Sequence, residues 1–228
     1  MFSRFSNRPE LIFFRNCFSR LPRRYNLTGM AQTTDPFKTR FLLAALPDIP
    51  FDGWTEALMK RTANRLKISE QQCADAFPRG PRDLAAYFSI WATEEAVKKL
   101  KKKKLSTLRM RDRITAGVRA RLEILQPYKQ AVSSALAFMS LPPQTLSLPK
   151  LVWEAADKIW WAAGDTATDY NHYTKRALLS GVITSTTLYW LNDSSENHEQ
   201  TWAFLDRRIE NVLQFGQKIA QFKKRKEN

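Results

Sequence analysis

Glycine, cysteine and histidine are all scarce in this chain: seven, two and two among 228 residues. The glycines form no G-x-G-x-x-G and no phosphate-cradling loop, which removes the usual backbone device of dinucleotide and triphosphate chemistry. Cys17 and Cys73 stand apart from each other and from both histidines. Neither a disulfide framework nor a zinc site is indicated, and a reducing compartment fits. The absence of H-E-x-x-H and of G-x-S-x-G argues against zinc-protease and serine-hydrolase chemistry. No run approaches the roughly 18 apolar residues that a membrane-spanning helix needs.

What the chain has in excess is positive charge, a net +15 held in three segments. Residues 1–30 carry six Arg and one Glu, residues 98–113 six Lys, three Arg and one Asp, and residues 218–228 five bases and one Glu. The remainder is close to neutral, so the three segments need separate explanations. The first is Arg- and Ser-rich and almost free of acid, the composition of a mitochondrial transit peptide, with Met30 as an alternative start; residues 1–33 are read as a leader. The second, "KKLKKKKLSTLRMRDR", reads as the solvated junction of two helices, or as a surface for nucleic acid or an anionic membrane. In the third, Lys218, Phe222, Lys223, Lys224 and Arg225 set an apolar ring beside cations, which suits a helix end lying on a membrane or a frayed, solvated terminus.

Between these segments the periodicity is helical. "DPFKTRFLLAALPDIP" opens on an Asp cap with proline at the first helical position. "FDGWTEALMKRTANRLK" offers Thr55 or Asp52 as the next cap. Leu84, Tyr87, Phe88 and Trp91 recur at i, i+3, i+4 and i+7, and Ile114, Val118, Leu122 and Leu125 repeat the stripe. A helix starting at Pro127 runs through Met139, and a tryptophan-rich helix ends at Gly164. The last third predicts two long helices, from about 169 to 191 and from about 197 to 222. "GVITSTTLYW" is β-branched enough for a strand, but it lies inside a helical run. The expected class is all-α, about nine helices, with residues 34–95 a helix-turn-helix-like part, 96–222 a second helical part and 223–228 a basic tail.

"AGDTATDYNHYTKR" departs from this pattern by gathering carboxylates, an amide, two tyrosines and a histidine. Asp169 and His172, at i and i+3, share a helix face as in di-iron bundles, but no second such element exists in the chain. A helix-start carboxylate beside a polar histidine accounts for the pair, and no metal is expected. Residues 36–90 have the cadence of the helix-turn-helix end of TetR-type regulators. The segment that would read bases is broken by Pro78, Gly80 and Pro81, which leaves a DNA-binding regulator as the alternative function.

"AALPDIPFDGWTEALM", "AGDTATDYNHYTKRALLSGVITSTTLYWLNDSS" and "TWAFLDRRI" together resemble the coenzyme Q protein nine family over residues 40–217. Gly164, Asp165, Thr168, Asp169, Asn171, Tyr173, Thr174 and Arg176 fall where that family's signature has them. The resemblance implies a TetR-like helical bundle with an apolar lipid chamber in its C-terminal two thirds. It implies a non-enzymatic protein without a cofactor, which takes up isoprenoid quinone intermediates or phospholipid at an anionic membrane surface. Its partner would be the di-iron demethoxyubiquinone hydroxylase, with a homodimer as an open arrangement and no nucleic acid.

By the same resemblance, Asp169, Asn171, His172, Tyr173 and Arg176 belong to a surface patch for the hydroxylase. Position 172 departs from the family's usual tryptophan. Trp160, Trp161, Leu178, Leu179, Val182, Ile183 and Leu188 are expected to line the chamber, although periodicity alone describes a packed core equally well. The implied location is the matrix side of the mitochondrial inner membrane. Animal members carry a further amphipathic docking helix that this chain does not match, which points also to a bacterial cytoplasmic member starting at Met30.

Overall fold

The computed structural model describes residues 34–102, 105–142, 147–165 and 170–227, with side chains omitted at 106, 170–171 and 215–227. Residues 34–228 form one unit. The described residues hold ten α-helices: α1 Pro36–Ala45, α2 Ile49–Asp52, α3 Glu56–Leu66, α4 Glu70–Ala76, α5 Pro81–Lys101, α6 Met110–Leu125, α7 Lys129–Ser140, α8 Leu148–Ala162, α9 Tyr170–Leu191 and α10 Glu199–Glu227. Only α2 is a single turn, so nine are longer, and no strand occurs among the described residues.

Local chemistry sets the boundaries. The Asp35 carboxylate accepts the Phe37 and Lys38 N–H groups ahead of Pro36, and α1 stops before Pro47. Of the two caps proposed for the next helix, Thr55 is used, its hydroxyl accepting the Leu58 N–H. Asp52 instead ends the separate turn α2. Ser69 and Gln72 close a reciprocal capping box on α4. Pro127 lies in a 3-10 turn, Gln126–Tyr128, and the α-helix follows it. The β-branched "GVITSTTLYW" is helical within α9: Val182, Ile183 and Trp190 are buried there, so tertiary packing overrides strand propensity.

α10 begins two residues later than its sequence suggests, because Asn197 and His198 both take positive φ, 50° and 58°. Its cap is assembled from Asp193. One carboxylate oxygen accepts the Ser195 N–H at 2.8 Å and hydroxyl at 2.6 Å, the other the Thr201 N–H at 2.9 Å and hydroxyl at 2.5 Å. Burial opposes ionisation, but these bonds outweigh it and hold the Asp193 carboxyl well below its ordinary value.

The core has two centres. Phe41, Leu42, Leu58, Leu84, Phe88, Trp91 and Trp190 anchor the first, with the Phe88 ring 5.7 Å from Trp54 and 6.1 Å from Trp91. Ile114, Val118, Ile159, Leu179, Val182, Ile183, Leu205 and Ile209 form the second. The helix α5 packs on both α6 and α8 and passes unbroken through residue 95, so the parts 34–95 and 96–222 share a backbone rod. α9 lies between α8 and α10.

Small residues bring these helices close. A Cβ added at Gly117 of α6 would stand 2.7 Å from Ile159 Cγ2 of α8 and 3.5 Å from Leu100 Cδ2 of α5. Two open grooves are lined by described residues: one of about 530 Å³ with Thr34, Pro36, Arg40, Leu43, Glu95 and Lys98 on its walls, another of about 610 Å³ among Arg111, Asp112, Arg119, Glu123 and Asp206. Charged side chains stand on the walls of both, and none of the residues expected to line a lipid chamber borders either.

Candidate functional site

The unusual block around residues 162–176 closes the junction of α8 and α9. Gly164 takes φ +94°, and the Gly164 and Asp165 N–H groups donate to the Trp161 and Trp160 carbonyls at 3.0 and 3.1 Å, ending α8. A side chain at 164 would also stand 3.3 Å from Arg113 Nη1. That guanidinium is already committed, donating to the Ala163 carbonyl at 3.1 Å and the Leu108 carbonyl at 2.9 Å. Glycine is thus required both for backbone conformation and for the approach of Arg113.

Arg176 is not on the surface, contrary to the sequence reading; it is 0% exposed. Its Nε donates to Asp157 Oδ1 at 2.6 Å, and its Nη1 donates to Asp165 Oδ2 at 3.0 Å and to the His172 carbonyl at 3.3 Å. Lys175 reaches the other Asp165 oxygen at 2.8 Å. One guanidinium therefore ties α8, the turn and α9 together. Burial opposes the charge on Asp165, but hydrogen bonds and attraction from Lys175 and Arg176 hold its carboxyl below the ordinary value. The arginine is inside because two buried or half-buried carboxylates demand a bidentate cation.

Outside this staple lies an aromatic surface. Tyr173 is 51% exposed, its ring 6.4 Å from that of Trp153 and 5.2 Å from that of His172. His172 Nε2 lies 4.0 Å from Asp157 Oδ1. Trp160 donates its indole N–H to the Lys175 carbonyl at 3.1 Å, with the Lys175 ammonium 5.4 Å over its ring. Trp153 was missed from sequence, yet a signal existed: Trp153, Asp157 and Trp160 are spaced i, i+4, i+7 on α8, one face of a helix. Asp169 lies outside the described residues, and of Asn171 only the helical backbone is described. Among the described residues no three His, Cys, Asp or Glu side chains gather as metal ligands.

The proposed lipid-lining residues do not share one surface. Leu179, Val182 and Ile183 are 2–3% exposed and lie in the second core, with Trp160 packed against it. Trp161 and Leu178 are half-buried. Leu188 is 51% exposed: nine residues beyond Leu179, it falls half a turn around α9 from the buried stripe. Lys218, Phe222, Lys223, Lys224 and Arg225 stand on the last turns of α10, and their side chains lie outside the described residues.

At the other end, α4 lies in the segment that the sequence offered as a candidate base-reading helix. It carries Glu70 and Asp75 and no basic residue, and none of its side chains is fully buried. Gln71 donates to Asp75 at 2.8 Å, and Gln72 is held in the capping box. Two acids on the presented helix repel phosphate rather than attract it.

Known proteins share both the sequence of this region and the fold around it. The family model COQ9 matches residues 146–216, the span from α8 through the staple, the aromatic surface and most of α10. The ubiquinone biosynthesis protein COQ9, mitochondrial, of Rattus norvegicus is 32% identical over 218 residues, covering 90% of this chain and 70% of that protein. The Homo sapiens protein of the same name is 30% identical over 217 residues, covering 90% and 68%. The Xenopus tropicalis protein is 32% identical over 201 residues, covering 83% and 62%. The chain thus spans about two thirds of the length of these relatives. The crystal structure of a TetR transcriptional regulator from Nitrosomonas europaea superposes with a TM-score of 0.63 at 18% identity, covering 78% of this chain and 99% of that one. The fold is therefore TetR-like and all-α.

Proposed function

The chain belongs to the COQ9 family, and from that premise we propose that it serves ubiquinone biosynthesis as a non-enzymatic lipid-binding protein. In this reading it receives aromatic isoprenoid intermediates at an anionic membrane surface and presents them to the di-iron demethoxyubiquinone hydroxylase. The observation that carries the proposal is the aromatic cluster of half-buried Trp153 and His172 with exposed Tyr173, clamped from beneath by the Arg176 staple within the segment that the family model matches. A rigid aromatic surface with a polar rim is what protein interfaces favour, since it buries area at little entropic cost. Arg176 acts here by positioning α9 rather than by touching the partner.

Of the residues assigned to the chamber, Leu179, Val182 and Ile183 of α9 are buried in the second core, so in this reading lipid uptake parts α9 from its neighbours. The relatives' names and the Arg-rich composition of residues 1–30 support a mitochondrial location, and in this reading the chain works at the inner membrane. The basic end of α10 would contribute the membrane contact. The DNA-binding alternative keeps the fold but is disfavoured by the acidic α4.

The test has two arms. Mass spectrometry of an organic extract of the purified chain should detect a quinone precursor or phospholipid. Tyr173→Ala should weaken binding of the hydroxylase by about tenfold, the scale of one exposed aromatic contact, while leaving the thermal transition within a few degrees. A lipid-free protein, or unchanged hydroxylase affinity in Tyr173→Ala and Trp153→Ala alike, would defeat the corresponding half of the proposal.

A further inference from the structure

The basic segment 98–113 holds two kinds of cation. Some are spent inside the protein: Lys98 meets Glu95 at 2.7 Å, Lys99 meets Glu123 at 2.6 Å, and Arg111 meets Glu210 at 2.7 Å. Arg113 donates to the Leu108 and Ala163 carbonyls at 2.9 and 3.1 Å. Lys99, Arg111 and Arg113 thereby tie α6 to α5, to α10 and to the end of α8. Lys101, Lys102 and Arg109 are different. Both lysines are exposed, and among the described residues no carboxylate stands within ion-pair distance of either. Arg109 reaches Asp112 at 3.1 Å, yet its side chain is 82% exposed. Lys103 and Lys104 lie outside the described residues.

The same connection exposes apolar side chains: Leu108 is 36% and Met110 37% exposed. Helices α5 and α6 pack along each other, so residues 105–110 stand at the tip of a helical hairpin. The tip is held in shape. The Leu108 N–H donates to the Leu105 carbonyl at 3.0 Å across the 3-10 turn Leu105–Thr107, and Arg113 fastens the Leu108 carbonyl to the end of α8, next to Gly164. Covering a fixed surface costs less ordering entropy than covering a loose one. One turn along α6 from Met110, Ile114 is buried in the second core with Leu179, Val182 and Ile183. A nucleic-acid backbone would reward the cations but not the leucine and methionine. An anionic bilayer rewards both, at its headgroups and at its acyl boundary.

We propose that the tip of the α5–α6 hairpin docks the protein on an anionic bilayer, with Lys101, Lys102 and Arg109 at the headgroups and Leu108 and Met110 entering the acyl boundary. The inference rests on the membrane reading above and adds to it a contact distinct from the basic end of α10. Docking through the tip sets the outer end of the Met110–Ile114 stripe against the lipid, so an apolar molecule leaving the bilayer meets α6 one turn from the second core. It also holds the end of α8, through Arg113, at a fixed distance from the membrane.

The experiment uses the full chain with vesicles of pure phosphatidylcholine and mixed vesicles of phosphatidylcholine and phosphatidylglycerol, with binding measured by flotation. Wild type should bind the mixed vesicles at least about tenfold more tightly than the neutral ones. Lys101→Gln with Lys102→Gln should lower binding to the mixed vesicles by about twentyfold, since each lysine near an anionic surface contributes roughly fivefold. Replacing both lysines by arginine should keep it. Leu108→Ser with Met110→Ser should weaken binding by about tenfold, and mixed vesicles should slow amide hydrogen exchange across residues 105–113 of the unaltered chain. That last readout needs no variant to fold. Undiminished binding in both weakened variants, or unchanged exchange at 105–113, would overturn the inference. If Lys223→Gln, Lys224→Gln and Arg225→Gln together then abolish binding, the membrane reading stands on α10 alone. Wild type that binds neither vesicle would remove the membrane reading and the inference together. Duplex DNA binding that the lysine substitutions abolish, with vesicle binding unaltered, would mark a nucleic-acid surface and overturn the bilayer.

Discussion

Replacing Arg176 by methionine separates a structural role from a surface role. The wild-type side chain is wholly buried and bonded to Asp157, Asp165 and the His172 carbonyl. Methionine keeps the aliphatic volume but leaves both carboxylates short of a counter-charge. Removing one partner of a buried ion pair costs about 3–5 kcal/mol. The lower end applies here, because the Asp157 side chain is 27% exposed and open to water, and Asp165 retains Lys175. A loss of about 3 kcal/mol in a chain of this size lowers the melting temperature by roughly 6–12 °C. Urea titrations followed by far-ultraviolet circular dichroism give the stability directly. Arg176→Glu should cost more, since it adds a third acid to the same site, and Asp157→Asn should recover part of the methionine variant's loss. A methionine variant within about 1 kcal/mol of wild type that nonetheless lost hydroxylase affinity would refute the staple, returning Arg176 to the surface role expected from its sequence.

Glycine substitutions test the packing in opposite directions. Gly117→Ala should destabilise by about 1–3 kcal/mol, because its Cβ would sit 2.7 Å from Ile159 Cγ2. Gly181→Ala, in mid-helix with nothing within 4 Å of the new Cβ, should stabilise by about 1 kcal/mol through helix propensity; urea midpoints that shift in the same direction for both variants would contradict the close approach of α6 to α8. The depressed Asp193 carboxyl means that the folded state holds fewer protons than the unfolded one just below pH 4. Its contribution is therefore complete above the unfolded value and is lost as the pH falls towards the folded one. Urea midpoints between pH 7 and pH 3 should decline less steeply for Asp193→Asn than for wild type, and parallel curves would deny the cap that role.

Much of the architecture was already legible along the chain. Asp35, Thr55 and Gly164 mark helix ends through interactions with neighbours a few residues away, and the Leu84–Tyr87–Phe88–Trp91 stripe names a buried face through helix geometry alone. The family signature in residues 164–176 was equally visible, since motif recognition needs no coordinates. The roles within that motif were not. Arg176 looks like any surface arginine until Asp157, nineteen residues earlier on another helix, is brought to 2.6 Å. Leu188 looks like a member of the apolar stripe until its rotation around α9 turns it outward.

Sequence alone determined most helix boundaries, such as those at Asp35, Thr55 and Gly164, and the main apolar stripes, because those choices are made by groups within a turn or two of each other. Tertiary structure decided which charges are buried and what holds each of them. Burial and pairing depend on the dielectric and the counter-charges that distant helices bring together. Arg121 and Arg176, alike in the sequence, thereby become a buried arginine held by the Thr93 and Ser89 hydroxyls and a staple neutralised by Asp157 and Asp165.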